Sequence, residues 1–181
     1  MNIQKIYNRY RIPSNLQQHM RWVAQVADEV VVNWTGPVVD AELIHNTALL
    51  HDMANLIKFK RPFLGEMKNK LFWEQIQDEF IAQYGPDVHK ATLVIIDELG
   101  MSDTVGKVLL DMELKVTDKI TKASWEARIV EYADCRVGLK GVTTLEKRID
   151  DLKFRYNLKD DDSGIKAWRL NADQVRQYYQ E

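Results

Sequence analysis

Apolar residues that return at every third or fourth position constrain this chain more than any other feature. Leu16, Met20, Val23, Ala27, Val30 and Trp34 fall on one side of a helix and need a partner surface. Ser14 with Gln17 reads as a capping box and Pro13 stops any earlier helix, so the first core helix is expected to start near Ser14. Gly36-Pro37 ends it, and Asp40 is a cap for a second helix reaching about His51. The same punctuation predicts a third helix from about Glu66 to Tyr84, a fourth from about Asp87 to Leu99, a fifth from Ser102-Asp103 and a sixth from Ser124, with Gly138 and Gly141 marking its end. Thr143 with Glu146 forms another capping box before the stripe Leu145, Ile149, Leu152 and Tyr156, and a short last helix is expected from Asn171. The acidic run Asp160-Asp161-Asp162-Ser163-Gly164 lacks the spacing of a calcium loop and reads as a solvated turn. With no repeat, no low-complexity segment and no convincing strand, the expected fold is all-α, a bundle of about six to eight helices.

A chain of 181 residues with 45% hydrophobic content, four prolines and eight glycines fits one domain over 1–181, with a core at about 14–140 and a helical extension at about 143–181. The net charge of -2 leaves no basic footprint for a long nucleic acid, while a small anionic substrate stays open. A single cysteine, Cys135, excludes an internal disulfide framework and suits a reducing compartment. No apolar run approaches the roughly 18 residues of a membrane span, and Met1-Asn2-Ile3-Gln4-Lys5 lacks a signal-peptide pattern. The expected setting is cytoplasmic, without a membrane partner.

Against this plain background His51-Asp52 stands out, because it closes the apolar stretch Leu43-Ile44-His45-Asn46-Thr47-Ala48-Leu49-Leu50. A carboxylate placed where a buried helix ends is costly unless a cation offsets it. Two further residues of the same kind sit inside helical apolar patterns, His19 in Gln17-Gln18-His19-Met20-Arg21-Trp22-Val23 and Asp134 in Ile129-Val130-Glu131-Tyr132-Ala133-Asp134. Asp134 shares the buried face of Val130 and Val137 and needs a cation there.

The order His, His-Asp, distant Asp, with Ala48-Leu49-Leu50-His51-Asp52 and Tyr132-Ala133-Asp134 as local contexts, resembles the HD-domain superfamily of metal-dependent phosphohydrolases over roughly residues 14 to 140. The resemblance implies that His19, His51, Asp52 and Asp134 hold one divalent metal ion: manganese, iron, cobalt, nickel, zinc or magnesium. Two imidazoles and two carboxylates leave positions open for water and a phosphate oxygen, the arrangement a hydrolytic centre needs. Asp52 then acts either as a ligand only or also as a group that orients the attacking water. Family members with two metals use extra histidines between the His-Asp pair and the last Asp. Here only His89 lies in that interval, which points to one metal, with His89 near the phosphate, behind the ligands or simply on the surface.

Phosphate recognition needs cations, and Lys58, Lys60 and Arg61 after the pair, with Lys90 after His89, are the candidates. His45 has no helical register with His51 and reads as a packed or capped histidine, Cys135 and Tyr132 as packing residues, and Glu74, Asp78 and Glu79 as an exposed acidic stripe. Among the aromatics, Trp22, Phe59, Phe63, Phe72 and Trp73 are near enough in sequence to stack a base, though most are expected in packing roles. Three departures from the family pattern bear on substrate more than on metal. Trp22 stands where an arginine is common, Met53-Ala54-Asn55 replaces a small residue, Gly and Lys, and Leu56-Ile57 replaces the acidic pair of the ppGpp hydrolases.

The function expected from this resemblance is hydrolysis of a small phosphate ester, a nucleotide before others, by a metal-activated water. The alternatives are a degenerate HD module that binds metal or nucleotide, a di-iron oxygenase on the same fold, and a helical DNA-binding domain, which the missing basic face disfavours. A homodimer is compatible with a small protein of this type.

Overall fold

The computed structural model describes residues 1–60, 69–112 and 122–179. Arg61, Phe63 and the expected helix start at Glu66 lie outside the described residues. Among those residues there are nine α-helices and one two-stranded hairpin, so the all-α expectation holds.

Helix α1 (Ile3–Arg9) begins at Asn2, whose side chain accepts from the Lys5 N–H. It precedes the expected first helix and buries Tyr7, whose hydroxyl donates to the Leu49 carbonyl at 2.6 Å. Helix α2 (Ser14–Val32) starts where the spacing predicts, but not through a capping box. Pro13 occupies the cap position without a side-chain bond, and the Gln17 amide instead donates back to the Ile12 carbonyl at 2.8 Å. Leu16, Met20, Val23, Ala27 and Val30 are buried as the stripe requires, whereas Trp34 lies past the helix end and donates from Nε1 to the Pro37 carbonyl.

Asp40 caps α3 (Ala41–Leu50) by accepting from the Leu43 N–H, and a 3-10 turn (Asn55–Lys58) follows the His51-Asp52 pair. Helix α4 (Lys70–Tyr84) ends at Gly85, whose φ of 83° is left-handed backbone that glycine adopts without strain. Asp87 caps α5 (Val88–Glu98) through the N–H groups of His89 and Lys90. A wide π-type turn (Ser102–Gly106) leads into the short α6 (Lys107–Asp111), and Ser124 caps α7 (Trp125–Asp134).

The chain after α7 departs from expectation in three places. Val137–Gly138 (β1) and Gly141–Val142 (β2) pair antiparallel, a hairpin where no strand was expected. The cap of α8 (Leu145–Tyr156) is Thr144, not Thr143, because its hydroxyl is the one that accepts from the Lys147 N–H. The last helix, α9 (Ser163–Arg176), starts at Ser163 rather than Asn171. Gly164 in its first turn masks a run of good spacing: Ile165, Ala172 and Val175 are buried, and Asn171 sits mid-helix, donating to the Arg128 carbonyl at 3.0 Å.

Packing divides into two apolar clusters that meet on α2 and α3. One holds Tyr7, Leu16, Met20, Leu50, Met53, Leu56, Phe80 and Ile95, and so joins α1, the start of α2, α4 and α5. The other holds Val23, Val30, Ile44, Leu49, Val130, Tyr132, Ile149 and Val175, and so joins the rest of α2, α3, α7, α8 and α9. Truncating a fully buried residue such as Leu50 to alanine costs about 2–5 kcal/mol. The change from one cluster to the other falls between Met20 and Val23 on α2 and between Leu49 and Leu50 on α3, beside His19 and His51. None of the described helices is long and apolar enough to cross a membrane.

Candidate metal centre

Three separate stretches of chain converge at this seam. His19 comes from the second turn of α2, His51 and Asp52 follow directly on α3, and Asp134 is the last residue of α7. One donor atom each from His19, His51 and Asp134 lie within 4.8 Å of one another, and among the described residues these three form the group able to hold a metal ion. His19 Nε2 is 3.0 Å from Asp134 Oδ1, and His51 Nε2 is 3.8 Å from the same oxygen. Asp52 joins from one side, its Oδ2 3.6 Å from His19 Nε2 and 3.7 Å from His51 Nε2. Donor atoms about 2.0–2.2 Å from a shared ion lie roughly 3–4 Å apart, so the spacing fits a single ion.

Hydrogen bonding makes the same case. The Ala48 carbonyl can only accept, so His51 Nδ1 carries the proton it donates there at 2.9 Å. That fixes the tautomer and turns the Nε2 lone pair inward, the usual support for a ligating imidazole. His51 is 5% exposed, yet its Nε2 has no hydrogen-bond partner, and neither has the buried Asp134 Oδ1, which is close to His19 without the geometry of a hydrogen bond. A buried polar atom left unpaired costs about 1–3 kcal/mol. A cation shared by these atoms removes the penalty.

Without a cation the group compensates through protons. Burial opposes charge on His51, but the facing carboxylates of Asp52 and Asp134 outweigh it and lift its pKa to about 9. Burial likewise opposes charge on Asp134, and the two imidazoles outweigh it and hold its carboxyl well below the ordinary carboxylate range. One turn earlier on α7, Glu131 is pushed up to about 7 by burial and by the Asp134 charge, while it accepts from Trp168 Nε1 at 2.8 Å. Cys135 is buried in the second cluster described above, and burial raises its thiol.

The turn after Asp52 is held from two sides. Thr92 Oγ1 on α5 accepts from the Ala54 N–H at 3.3 Å. The buried Gln77 amide on α4 donates to the carbonyls of Leu56, Ile57 and Phe59 at 2.9, 3.1 and 2.7 Å. Neither Gln77 nor Thr92 was a sequence candidate, since a lone polar residue on an amphipathic helix gives no sign of what it holds. Asn55, which donates to Asp52 Oδ2, carried such a sign in standing three residues after Asp52.

His89 is exposed in the first turn of α5 and does not enter the group formed by His19, His51 and Asp134. Lys58, Lys60 and Lys90 are exposed, with Lys90 Nζ 3.8 Å from Asp87. Arg21 lies over the Tyr7 ring, 5.5 Å from its centroid, and donates to Gln4. His45 is occupied by Asp28, both carboxylate oxygens 3.0 Å from its Nδ1. In the acidic stripe of α4, Glu79 accepts from Arg11 at 2.6 Å and Glu74 faces Lys70 at 3.7 Å. Of the aromatics, Trp22 lies against Gly141 of the hairpin, whose φ of 122° suits glycine alone.

No protein-family model, no curated protein and no solved structure matches the chain.

Proposed function

We propose that this chain is a metal-dependent phosphohydrolase of the HD type, acting on a small phosphate ester with nucleotides as the favoured class. The observation that carries the proposal is the half-buried group His19, His51 and Asp134, joined by Asp52, in which the inward atoms His51 Nε2 and Asp134 Oδ1 have no hydrogen-bond partner. A divalent ion bound there supplies Lewis acidity at phosphorus and a water of lowered pKa. The protein's own contribution is positional. The Ala48 carbonyl fixes the His51 tautomer, and Asp52, facing both imidazoles, orients the attacking water. Lys58, Lys60 and Lys90 remain candidates for phosphate contact and His89 for a role in catalysis, all from exposed positions.

That exposure favours a second reading, a module that binds metal or nucleotide without turning it over, because Lys58, Lys60 and Lys90 are all solvent-exposed. One assay separates the two. Phosphate release is measured across nucleotides and simple esters with manganese, cobalt, nickel and magnesium, for the wild type and Asp52→Ala. Metal-dependent turnover lost in the variant is the expected result. Metal binding without turnover on any compound gives the weight to the binding module.

A further inference from the structure

The segment 52–55 is a tight turn in which the Asn55 N–H donates to the Asp52 carbonyl at 2.9 Å and the Asn55 side chain folds back onto the Asp52 carboxylate. A carboxylate only accepts, so the amide nitrogen faces Asp52 Oδ2 and the amide oxygen is turned away from it. That Oδ2 is the Asp52 atom that faces both imidazoles, 3.6 Å from His19 Nε2 and 3.7 Å from His51 Nε2. The amide oxygen, Asn55 Oδ1, is buried and has no partner. Neighbouring contacts keep the backbone of this turn from relaxing to relieve it: Thr92 holds Ala54, and Gln77 holds Leu56, Ile57 and Phe59. An acceptor buried without a hydrogen bond, on the side chain that holds Asp52, is free to take a donor that arrives with the ligand.

We infer that Asn55 is a positioning residue of this centre: its Nδ2 aims Asp52 Oδ2 at the two imidazoles, and its Oδ1 accepts a hydrogen bond from the attacking water. The inference rests on the metal-centre reading above. It also gives a meaning to the departure at this position, since a neutral amide does two jobs here, donor and acceptor, that a lysine does only in part.

The test is Mn²⁺ titration by calorimetry, with thermal melts of the metal-free and Mn²⁺-loaded protein, on the wild type and Asn55→Ala. Groups that support metal ligands are worth about 10–100-fold in affinity or activity, so Asn55→Ala is expected to weaken Mn²⁺ binding at least about tenfold. Its metal-free melting temperature stays within about 2 °C of wild type, because donor and unpaired acceptor leave together. In turnover, kcat falls with little change in KM. Asn55→Leu, which keeps the volume, serves if the alanine variant does not fold. Unchanged Mn²⁺ affinity in a folded variant, or an equal loss of stability with and without metal, overturns the inference and leaves the centre standing. A wild type that binds no divalent ion overturns both.

Discussion

Helices α2 and α3 bring histidines and aspartates together twice, with opposite results. At the outer pair, His45 Nδ1 meets both oxygens of Asp28 at 3.0 Å, with the side chains 44% and 47% exposed. At the inner group, His19 and His51 meet Asp134 and Asp52 at 3.0 to 3.8 Å, with side chains 5% to 29% exposed and two inward atoms without a hydrogen bond. The distances overlap, so distance does not separate them. Burial and unmet hydrogen bonding do: the outer pair has its hydrogen bonds as it stands, and the inner group keeps two buried atoms without one, a group that could hold a cation.

The contrast is broken most severely at Asp134. Asp134→Ala is expected to erase the rise in melting temperature that divalent metal gives the wild type. For an ion present at a hundred times its Kd, that rise corresponds to about 2.7 kcal/mol. A metal-induced shift that survives the substitution places the ion elsewhere.

A second, smaller effect concerns the metal-free protein. The folded pKa of His51, about 9, lies above its ordinary value of 6.5. The group therefore contributes stability that is fully present below about pH 6.5 and is lost as pH rises through about 9. Denaturant unfolding of chelator-treated protein between these limits is expected to show stability falling with pH, with a shallower fall in His51→Ala. Equal slopes in the two proteins would remove the carboxylates' hold on His51.

The smallest effect belongs to the outer pair. His45→Ala is expected to change stability by less than about 1 kcal/mol, as for other exposed ion pairs, and to leave metal affinity untouched. A loss of metal binding in this variant would mean that the two sites are not the independent cases described here.

Much of the helical order was legible because the signals are local. Asp40, Asp87 and Ser124 cap the helices they precede, and Gly85 and Gly100 adopt the left-handed backbone that ends α4 and α5. Where tertiary contacts decide, the sequence was silent or misleading. Gly164 looked like part of a loop, yet α9 runs through it because Ile165 and Val175 are buried against the rest of the bundle. The hairpin at 137–142 has strands too short for any alternation to show. The same division holds at the centre. His51-Asp52 was visible as a polar pair ending an apolar run, but the supporting roles of Gln77 and Thr92 depend on which backbone groups α4 and α5 meet in the turn after the pair. For His89 residue type and interval left three placements open, and the one found is an exposed position in the first turn of α5.

On the function proposed above, His19, His51, Asp52 and Asp134 hold one divalent ion. Elemental analysis of the protein after equilibration with Mn²⁺ and desalting, for the wild type and for the double variant His51→Ala with Asp134→Ala, tests it most directly. One ion per chain is expected in the wild type and none in the variant. No ion in the wild type, or an ion retained by the variant, would contradict it.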